Sequence, residues 1–151
     1  MLSMHPATEE EKRRISLWRY GGEYAVYNLP PYAEQLKSGR GFANPKNRFY
    51  TFHDGARLIG YASLAEEENR VLLGAGVHPD LCGRGFGQEI CRAARRLSHS
   101  LFPGKPLCLH VRCWNTRAVR CYEKAGFVIA GEAFTLMAPG GEDRFFRMTE
   151  A

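Results

Sequence analysis

Three glycines at alternate positions, Gly83, Gly85 and Gly87, stand between a predicted strand and a predicted helix. Glycine allows the backbone to turn with a positive φ and to approach a ligand without interference from a Cβ atom. The first N–H groups of a helix have no partner within the helix, and the helix dipole favours negative charge beside them. The segment from Cys82 to Gly87 is therefore predicted to cradle a phosphate.

Two familiar phosphate loops can be rejected. A P-loop ends in Gly-Lys-Ser/Thr, whereas Gln88 and Glu89 follow the last glycine here. A dinucleotide-binding loop has the spacing G-x-G-x-x-G and an acidic residue about 20 positions later. The spacing here is G-x-G-x-G, and the later positions hold Pro103, Gly104 and Lys105. A glycine-rich connection without a ligand is the remaining alternative to a phosphate cradle.

A second motif begins at Asn115 and reads Asn-x-x-Ala-x-x-x-Tyr-Glu-Lys-x-Gly-Phe through Phe127. Together with the glycine loop it resembles the GNAT family of N-acetyltransferases, whose loop reads Gln/Arg-x-x-Gly-x-Gly/Ala. Cys82 stands where that loop has Gln or Arg. The resemblance extends from about Arg48 to Met148, and the second motif is its specific part.

The resemblance implies an acetyl-CoA-dependent enzyme that moves an acetyl group to a primary amine, of a small molecule or a protein, by direct attack in a ternary complex. Ala75 and Val77 would pair through their main chain with the pantetheine arm, and a main-chain N–H there would polarise the thioester carbonyl. Tyr122 would protonate the departing thiolate, and Asn115 would add a cofactor contact. The loop N–H groups would hold the pyrophosphate of coenzyme A; the loop residues are Cys82, Gly83, Arg84, Gly85, Phe86 and Gly87.

Asn115 and Tyr122 also have purely structural interpretations. Asn is a preferred N-cap, which satisfies the first N–H groups of a helix. Tyr122 lies four residues after Ala118, on the same helix face. Its alternative role is packing alone. The sequence leaves both interpretations open.

No general base is evident in the sequence. An amine with a pKa near 10 must lose a proton before it attacks. Many members of the family place a Glu on the strand before the loop, and Val71–Val77 contains none. The weak candidates are Glu66–Glu68 in a predicted solvated turn, His78 at the loop mouth and His110 on a strand face. Deprotonation through ordered water is the alternative.

Hydrophobic periodicity and turn residues predict the elements that must position these residues. The predicted helices are a short one ending at Leu36, a long one after the glycine loop, and one from Asn115 to Gly126. The predicted strands are Arg14–Trp18, Arg48–His53, Leu58–Leu64, Val71–Val77, Leu107–Cys113, Phe127–Ala130 and Arg144–Met148.

This order predicts a mixed α/β (α+β) fold with helices packed on the sheet. The family resemblance adds that the sheet is mostly antiparallel and contains a splayed strand pair. Gly74 and Gly76 within a strand predict a bulge or the close approach of a ligand, with an edge irregularity as the alternative.

Two patterns predict buried faces. The long helix has an apolar stripe formed by Ile90, Ala94, Leu97 and Leu101. The strand that follows alternates, so one face is predicted to be buried: Leu107, Leu109, Val111 and Cys113, against Cys108, His110 and Arg112.

Composition favours a soluble protein. The chain has 151 residues, of which 44% are hydrophobic and 25% charged, as is ordinary for globular domains. We expect a single N-acetyltransferase domain over residues 1–151, with a core at 48–148 and an atypical acceptor-side segment at 1–45. No apolar run approaches the roughly 20 residues of a membrane span, and the N-terminus lacks a secretory signal. We therefore expect a cytoplasmic protein without membrane association.

Charge and cysteine content limit the partners. The net charge of +5 suits an anionic cofactor and would also suit nucleic acid. The chain has no long basic run, however, so nucleic acid is not expected. The five cysteines show no C-x-x-C pair, which argues against a metal site.

The sequence leaves several questions open. A non-catalytic module that senses acyl-CoA is the alternative to an enzyme. The acceptor is a protein N-terminus, a lysine, a polyamine, an amino acid or an aminoglycoside, and nothing in the sequence chooses among them. A homodimer is also left open.

Overall fold

The computed structural model describes residues 2–151, which form one eight-stranded sheet with four α-helices. The strands are β1 (Ser3–Pro6), β2 (Asn47–Asp54), β3 (Arg57–Glu66), β4 (Val71–Val77), β5 (Leu107–Arg112), β6 (Phe127–Ile129), β7 (Phe134–Ala138) and β8 (Gly141–Glu150). The helices are α1 (Glu9–Ile15), α2 (Tyr32–Ser38), α3 (Phe86–Leu101) and α4 (Thr116–Lys124). Short 3-10 segments occupy Gly22–Tyr27, Gly41–Ala43 and Pro79–Leu81.

The strand order is β1-β2-β3-β4-β5-β8-β6, and β7 also pairs with β8. All pairings are antiparallel except that of β4 with β5. The parallel pairing lasts for two residue pairs, Val71 with Leu107 and Leu72 with Cys108. Because β4 continues to Val77 and β5 to Arg112, the two strands then diverge. The predicted mixed, mostly antiparallel sheet with a splayed strand pair is confirmed.

The main core lies between the sheet and helices α3 and α4. Leu64, Val71, Leu107 and Met148 come from the strands and Ile90 from α3, and none of these side chains is measurably exposed. Burying each aliphatic side chain of this size contributes about 1.5–3 kcal/mol. A second cluster under the N-terminal segment contains Ile15, Tyr32, Phe42 and Leu58.

The predicted strand at Arg14–Trp18 is wrong, because this stretch begins inside helix α1. Thr8 caps that helix: its hydroxyl accepts a hydrogen bond from the N–H of Glu11, and the Glu11 carboxylate accepts one from the N–H of Thr8. This reciprocal capping box has the sequence signature Ser/Thr-x-x-Glu, which stands at residues 8–11.

The expected bulge at Gly74 and Gly76 is also wrong, because β3 and β4 pair in unbroken register from Gly60 with Val77 to Glu66 with Val71. The register shift of this sheet lies instead between Phe52 and His53. A Cβ atom on Gly76 would lie 2.5 Å from the Tyr61 ring. Glycine is therefore required there because side chains of β3 lie across β4.

The buried faces of α3 and β5 differ in part from those that the apolar pattern of the sequence predicted. In α3 the buried positions are Ile90, Cys91, Ala94 and Ser98, while Leu101 is 37% exposed. In β5, Cys108 and Arg112 are buried as well as the apolar set, and Cys113 lies beyond the strand and is half-buried. Alternation fails in β5 because this central strand is covered on both faces.

No helix within residues 2–151 is both long and apolar enough to cross a membrane.

Candidate active site

The divergence of β4 and β5 opens a cavity of about 780 Å³. Its walls come from both strands, the glycine loop, α3, α4, the 3-10 segment Gly22–Tyr27 and the turn between β7 and β8. The cavity therefore lies where the second sequence motif, the glycine loop and the N-terminal segment meet.

The glycine loop forms one end of this cavity. Gly83 and Gly85 have φ values of 79° and 85°, a region in which residues with a Cβ atom are strained. Gly85 is the N-cap of α3 and carries no side chain to occupy the first free N–H groups. A Cβ on Gly87 would lie 2.9 Å from Cys121 Sγ, so α3 and α4 approach closely there. Cys82, Gly83, Gly85 and Gly87 line the cavity, whereas Arg84 and Phe86 belong to the loop but do not.

The open edge of β4 faces the same cavity. The N–H of His78 donates to the carbonyl of Ile59 on β3. Because main-chain direction alternates along a strand, the main-chain groups of Val77 and Ala75 point away from β3 and toward the divergence. The Tyr20 hydroxyl already donates to the Val77 carbonyl at 2.6 Å. The N–H of Val77 and both main-chain groups of Ala75 remain available to a ligand.

Asn115 is the N-cap of α4, as its structural interpretation requires. Its Oδ1 accepts a hydrogen bond from the N–H of Ala118 at 3.1 Å, and its Nδ2 donates to the Tyr27 hydroxyl at 3.0 Å. Each end of the amide makes one hydrogen bond, and one N–H and one oxygen lone pair remain. Asn115 also lines the cavity, so its contact to a cofactor stays a prediction.

Tyr122 lies in the cavity wall and packs its ring edge toward Phe127, with the ring centroids 6.3 Å apart. Its hydroxyl takes part in none of the side-chain hydrogen bonds found among residues 2–151. Burial raises the pKa of Tyr122 well above its ordinary value, and the neighbouring thiols of Cys91 and Cys121 act in the same direction. The hydroxyl therefore keeps its proton throughout the physiological range.

The candidates for a general base lie at different positions relative to the cavity. Glu66 pairs with Lys105, and Glu67 pairs with Arg70, so the predicted solvated turn is confirmed and lies outside the cavity. His78 uses Nδ1 to accept from the N–H of Asp80. His110 does line the cavity, but burial, followed by the charge of Arg70, lowers its pKa.

The cavity wall within residues 2–151 contains no Asp or Glu side chain. Its charged groups are all cationic: Arg112, Arg117, Arg120 and Lys124. Arg112 is paired, since it donates to Asp143 Oδ2 at 2.7 Å and to the Pro139 carbonyl at 3.0 Å. The other three cations lie on α4.

Aromatic residues of the N-terminal segment were missed by sequence reasoning. Five of the seven tyrosines line the cavity: Tyr20, Tyr24, Tyr27, Tyr61 and Tyr122. The first three fall within eight positions of one another, and this concentration of tyrosine was the available signal. Arg117 stacks on Tyr24, with the guanidinium carbon 4.1 Å from the ring centroid.

Three cysteines line the cavity: Cys82, Cys91 and Cys121. The hydrogen bond from the Cys91 thiol, opposed by burial, lowers the pKa of Cys121. Burial raises the pKa of Cys82. Cys121 therefore ionises more readily than Cys82 and is the stronger nucleophile of these two thiols near neutral pH.

A separate group of side chains, not foreseen in the sequence, joins β1, α1 and β2. Glu11 is buried and accepts from the Thr51 hydroxyl, while Nε2 of His5 and Nε2 of His53 each lie 3.0 Å from its carboxylate. The ligand-type atoms of His5, Glu11 and His53 lie within 4.8 Å of one another. The group lies outside the cavity and ties three elements to each other.

Comparison with known proteins defines the class. The family model of the GNAT acetyltransferases matches residues 10–127. The chain therefore belongs to the GNAT acetyltransferase family, and the predicted acetyl-CoA-dependent N-acetyltransferase is confirmed at that level. The match begins upstream of Arg48, where the visible resemblance in the sequence starts. The comparison with curated proteins finds no match.

Solved structures share the fold. A spermidine N-acetyltransferase chimera from Vibrio cholerae and hSSAT is 22% identical, with a TM-score of 0.78 over 99% of this chain and 94% of that one. The Vibrio cholerae spermidine N-acetyltransferase in complex with CoA and spermine is 21% identical, with a TM-score of 0.77 over 98% and 94%. A ribosomal-protein alanine N-acetyltransferase from Escherichia coli is 16% identical, with a TM-score of 0.70 over 99% and 93%. At these identities the likeness shows the fold alone.

Proposed function

We propose that this protein transfers the acetyl group of acetyl-CoA to a primary amine by direct attack within a ternary complex. The observation that carries the proposal is the cavity between the diverging strands β4 and β5, with the glycine loop at one end and Tyr122 in its wall. Family membership supports acetyl-CoA as the co-substrate.

The residues present fit this co-substrate. The free N–H groups from Cys82 to Gly87, at the N-terminus of the 16-residue helix α3, suit the pyrophosphate. Arg117, Arg120 and Lys124 supply positive charge in the cavity wall. The available main-chain groups of Ala75 and Val77 suit the amides of the pantetheine arm, and the Val77 or Ala75 N–H is placed to polarise a thioester carbonyl.

The amine can lose its proton without a dedicated base. A protonated amine that enters an apolar cavity loses hydration, which lowers its pKa, and nearby cations lower it further. The cavity has both properties, since its charged groups are all cationic and no carboxylate lines it. The proton then passes to water, and His110, whose pKa is lowered by burial, is an imidazole of the wall that could relay it.

Tyr122 is proposed to act at the sulfur. A thiolate leaving group has a pKa near 8.5, below that of the buried Tyr122 hydroxyl. Full proton transfer is therefore uphill, and the role that fits is a hydrogen bond from the hydroxyl to the developing thiolate, with the proton completed from solvent.

Steady-state kinetics in both substrates test direct attack. A ternary complex predicts intersecting lines in double-reciprocal plots and no acetylated protein in an intact-mass spectrum recorded without amine. Parallel lines with an acetyl group on Cys121 would instead show a covalent intermediate, and Cys121→Ser would then abolish turnover.

A non-catalytic acyl-CoA sensor is the second candidate. One observation favours it, since the cavity has no carboxylate that could act as a base. It predicts binding of acetyl-CoA with no amine-dependent release of free thiol.

A further inference from the structure

We infer that the acceptor is an amine on an uncharged, apolar or aromatic framework, with no second cationic centre. This inference rests on the proposed function, because it concerns the second substrate of the same cavity. It is argued from the end of the cavity that lies away from the glycine loop.

That end, called here the acceptor end, is lined by Val26, Tyr27, Ala138, Pro139 and Phe145. The coenzyme A phosphates are assigned to the opposite end, because the free N–H groups at the start of α3 lie there. The thioester must fall between the two ends, along the edge of β4. The acceptor amine therefore enters from the acceptor end, past these neutral side chains.

Within residues 2–151, no carboxylate lines the cavity at the acceptor end to hold a second ammonium group. The buried Arg112 contacts this end, with its guanidinium carbon 5.7 Å from the Tyr27 ring centroid and 5.2 Å from that of Phe145. The nearby carboxylate, Asp143, accepts from Arg112 at 2.7 Å, from the Trp114 indole at 2.9 Å and from the N–H of Arg144 at 2.8 Å. These bonds and the adjacent charge hold the pKa of Asp143 below its usual range.

A polycationic acceptor would therefore leave its remaining ammonium groups desolvated, beside Arg112 and without a counter-charge, which is strongly unfavourable. The reacting nitrogen avoids this cost because it must be neutral to attack. Tyr27 and Phe145 offer ring surface to an apolar or aromatic body. The spermidine acetyltransferases with the same fold do not argue otherwise, because at 20–22% identity the likeness shows the fold alone and not the acceptor.

The experiment compares matched amines by release of free coenzyme A thiol and by product mass. Hexylamine and hexamethylenediamine differ only in a second amino group, and phenethylamine and spermidine extend the comparison. The expected result is that kcat/KM for hexylamine exceeds that for the diamine at least about tenfold, after correction for its two equivalent amino groups. The kcat/KM for phenethylamine should likewise exceed that for spermidine.

A charge placed at the acceptor end provides the second arm. Val26→Glu should shift the ratio of the two kcat/KM values toward the diamine, while Val26→Gln, with nearly the same size and no charge, should leave it unchanged. Both variants are first checked for unchanged melting temperature and coenzyme A affinity. The ratio does not depend on the overall activity of a variant.

Preference of the native protein for the diamine or spermidine would overturn the inference while leaving the proposed function in place. Turnover confined to a peptide α-amine would overturn it in the same way. If acetyl-CoA binds but no amine of the panel, including that peptide, is acetylated, the proposed function fails as well. An unchanged ratio in Val26→Glu would show that the acceptor does not pass this end of the cavity.

Discussion

At the residue scale, Tyr122 and Asn115 both match the second sequence motif, but their side chains have different hydrogen-bond partners. Asn115 accepts from the Ala118 N–H and donates to the Tyr27 hydroxyl, so helix capping accounts for one of its two interpretations. Tyr122 lines the cavity, and its hydroxyl takes part in none of the side-chain hydrogen bonds described for residues 2–151. The motif predicted both positions, but the partners of each side chain depend on Tyr27, which the motif does not include.

Tyr122→Phe tests the role at the sulfur. We expect unchanged folding and coenzyme A affinity, because the ring packing is kept, and a kcat lower by about 10²-fold. Since burial raises the pKa of Tyr122, any high-pH limb of the rate profile should persist in the variant. Tyr50→Phe, a change of the same size outside the cavity, serves as the control. Full activity in Tyr122→Phe would reduce this residue to packing.

Gly85→Val tests the phosphate cradle. The φ of 85° at Gly85 is strained for a branched residue, and each lost N–H contact to a charged oxygen costs about 1.5–3 kcal/mol. Calorimetry should show coenzyme A affinity lower by at least about tenfold. Gly104→Val imposes the same strain at a φ of 83° in a turn outside the cavity and should leave affinity unchanged. Equal affinity in a folded Gly85→Val protein would disprove the cradle.

At the element scale, the sequence predicted the long and strongly patterned elements well. Strand β4 has the predicted bounds, and the bounds of helix α4 differ from the predicted ones by at most two residues. The short strands β1 and β7 were missed because four or five residues carry little periodicity, and pairing with β2 and β8 decides their conformation. Helix α1 was missed although its capping box was visible. The divergence of β4 from β5 depends on tertiary packing. Only the family resemblance predicted it.

The turn between β3 and β4 provides a prediction about the base. Glu66→Ala, Glu67→Ala and Glu68→Ala should each retain kcat/KM, because the turn lies outside the cavity and two of its carboxylates pair with Lys105 and Arg70. Steady-state assays at saturating acetyl-CoA measure this. A loss of 10²-fold or more in one variant, the size expected for removal of a general base, would contradict the account.

Glu11 predicts how the N-terminal elements respond to acid. Burial opposes ionisation, but hydrogen bonds from the Thr8 N–H, His5 and Thr51 outweigh it, so the folded-state pKa of Glu11 is lowered from 4.5. Its stabilising contribution is therefore complete above pH 4.5 and is lost as the pH falls through the folded-state value.

Glu11→Gln should lower the free energy of unfolding at pH 7 by roughly 2 kcal/mol, since hydrogen bonds to a charged group contribute about 1.5–3 kcal/mol. The difference from the native protein should shrink below pH 4.5. Glu10→Gln, on an exposed neighbour in the same turn, is the control for helix-terminus charge. Urea denaturation at several pH values measures both, and a pH-independent difference would contradict the assignment.

At the scale of the whole molecule, the sequence predicted the phosphate end of the cavity but not its acceptor end. The loop and α4 carry motifs whose chemistry is readable locally, so the coenzyme A side could be predicted. The acceptor end is assembled from the 3-10 segment Gly22–Tyr27, the turn between β7 and β8, and β8 itself. These segments are distant in sequence and carry no shared pattern. A single domain over residues 1–151, with an acceptor-side role for residues 1–45, stays a proposal.

The most direct measurement follows an isotopically labelled acetyl group from acetyl-CoA to an amine in the presence of the purified protein. The account predicts that labelled N-acetyl product and free coenzyme A thiol form in equal amounts, at a rate that depends on amine concentration and falls about 10²-fold in Tyr122→Phe. Tight binding of acetyl-CoA without amine-dependent thiol release, across both apolar amines and polyamines, would contradict the account and leave an acyl-CoA sensor.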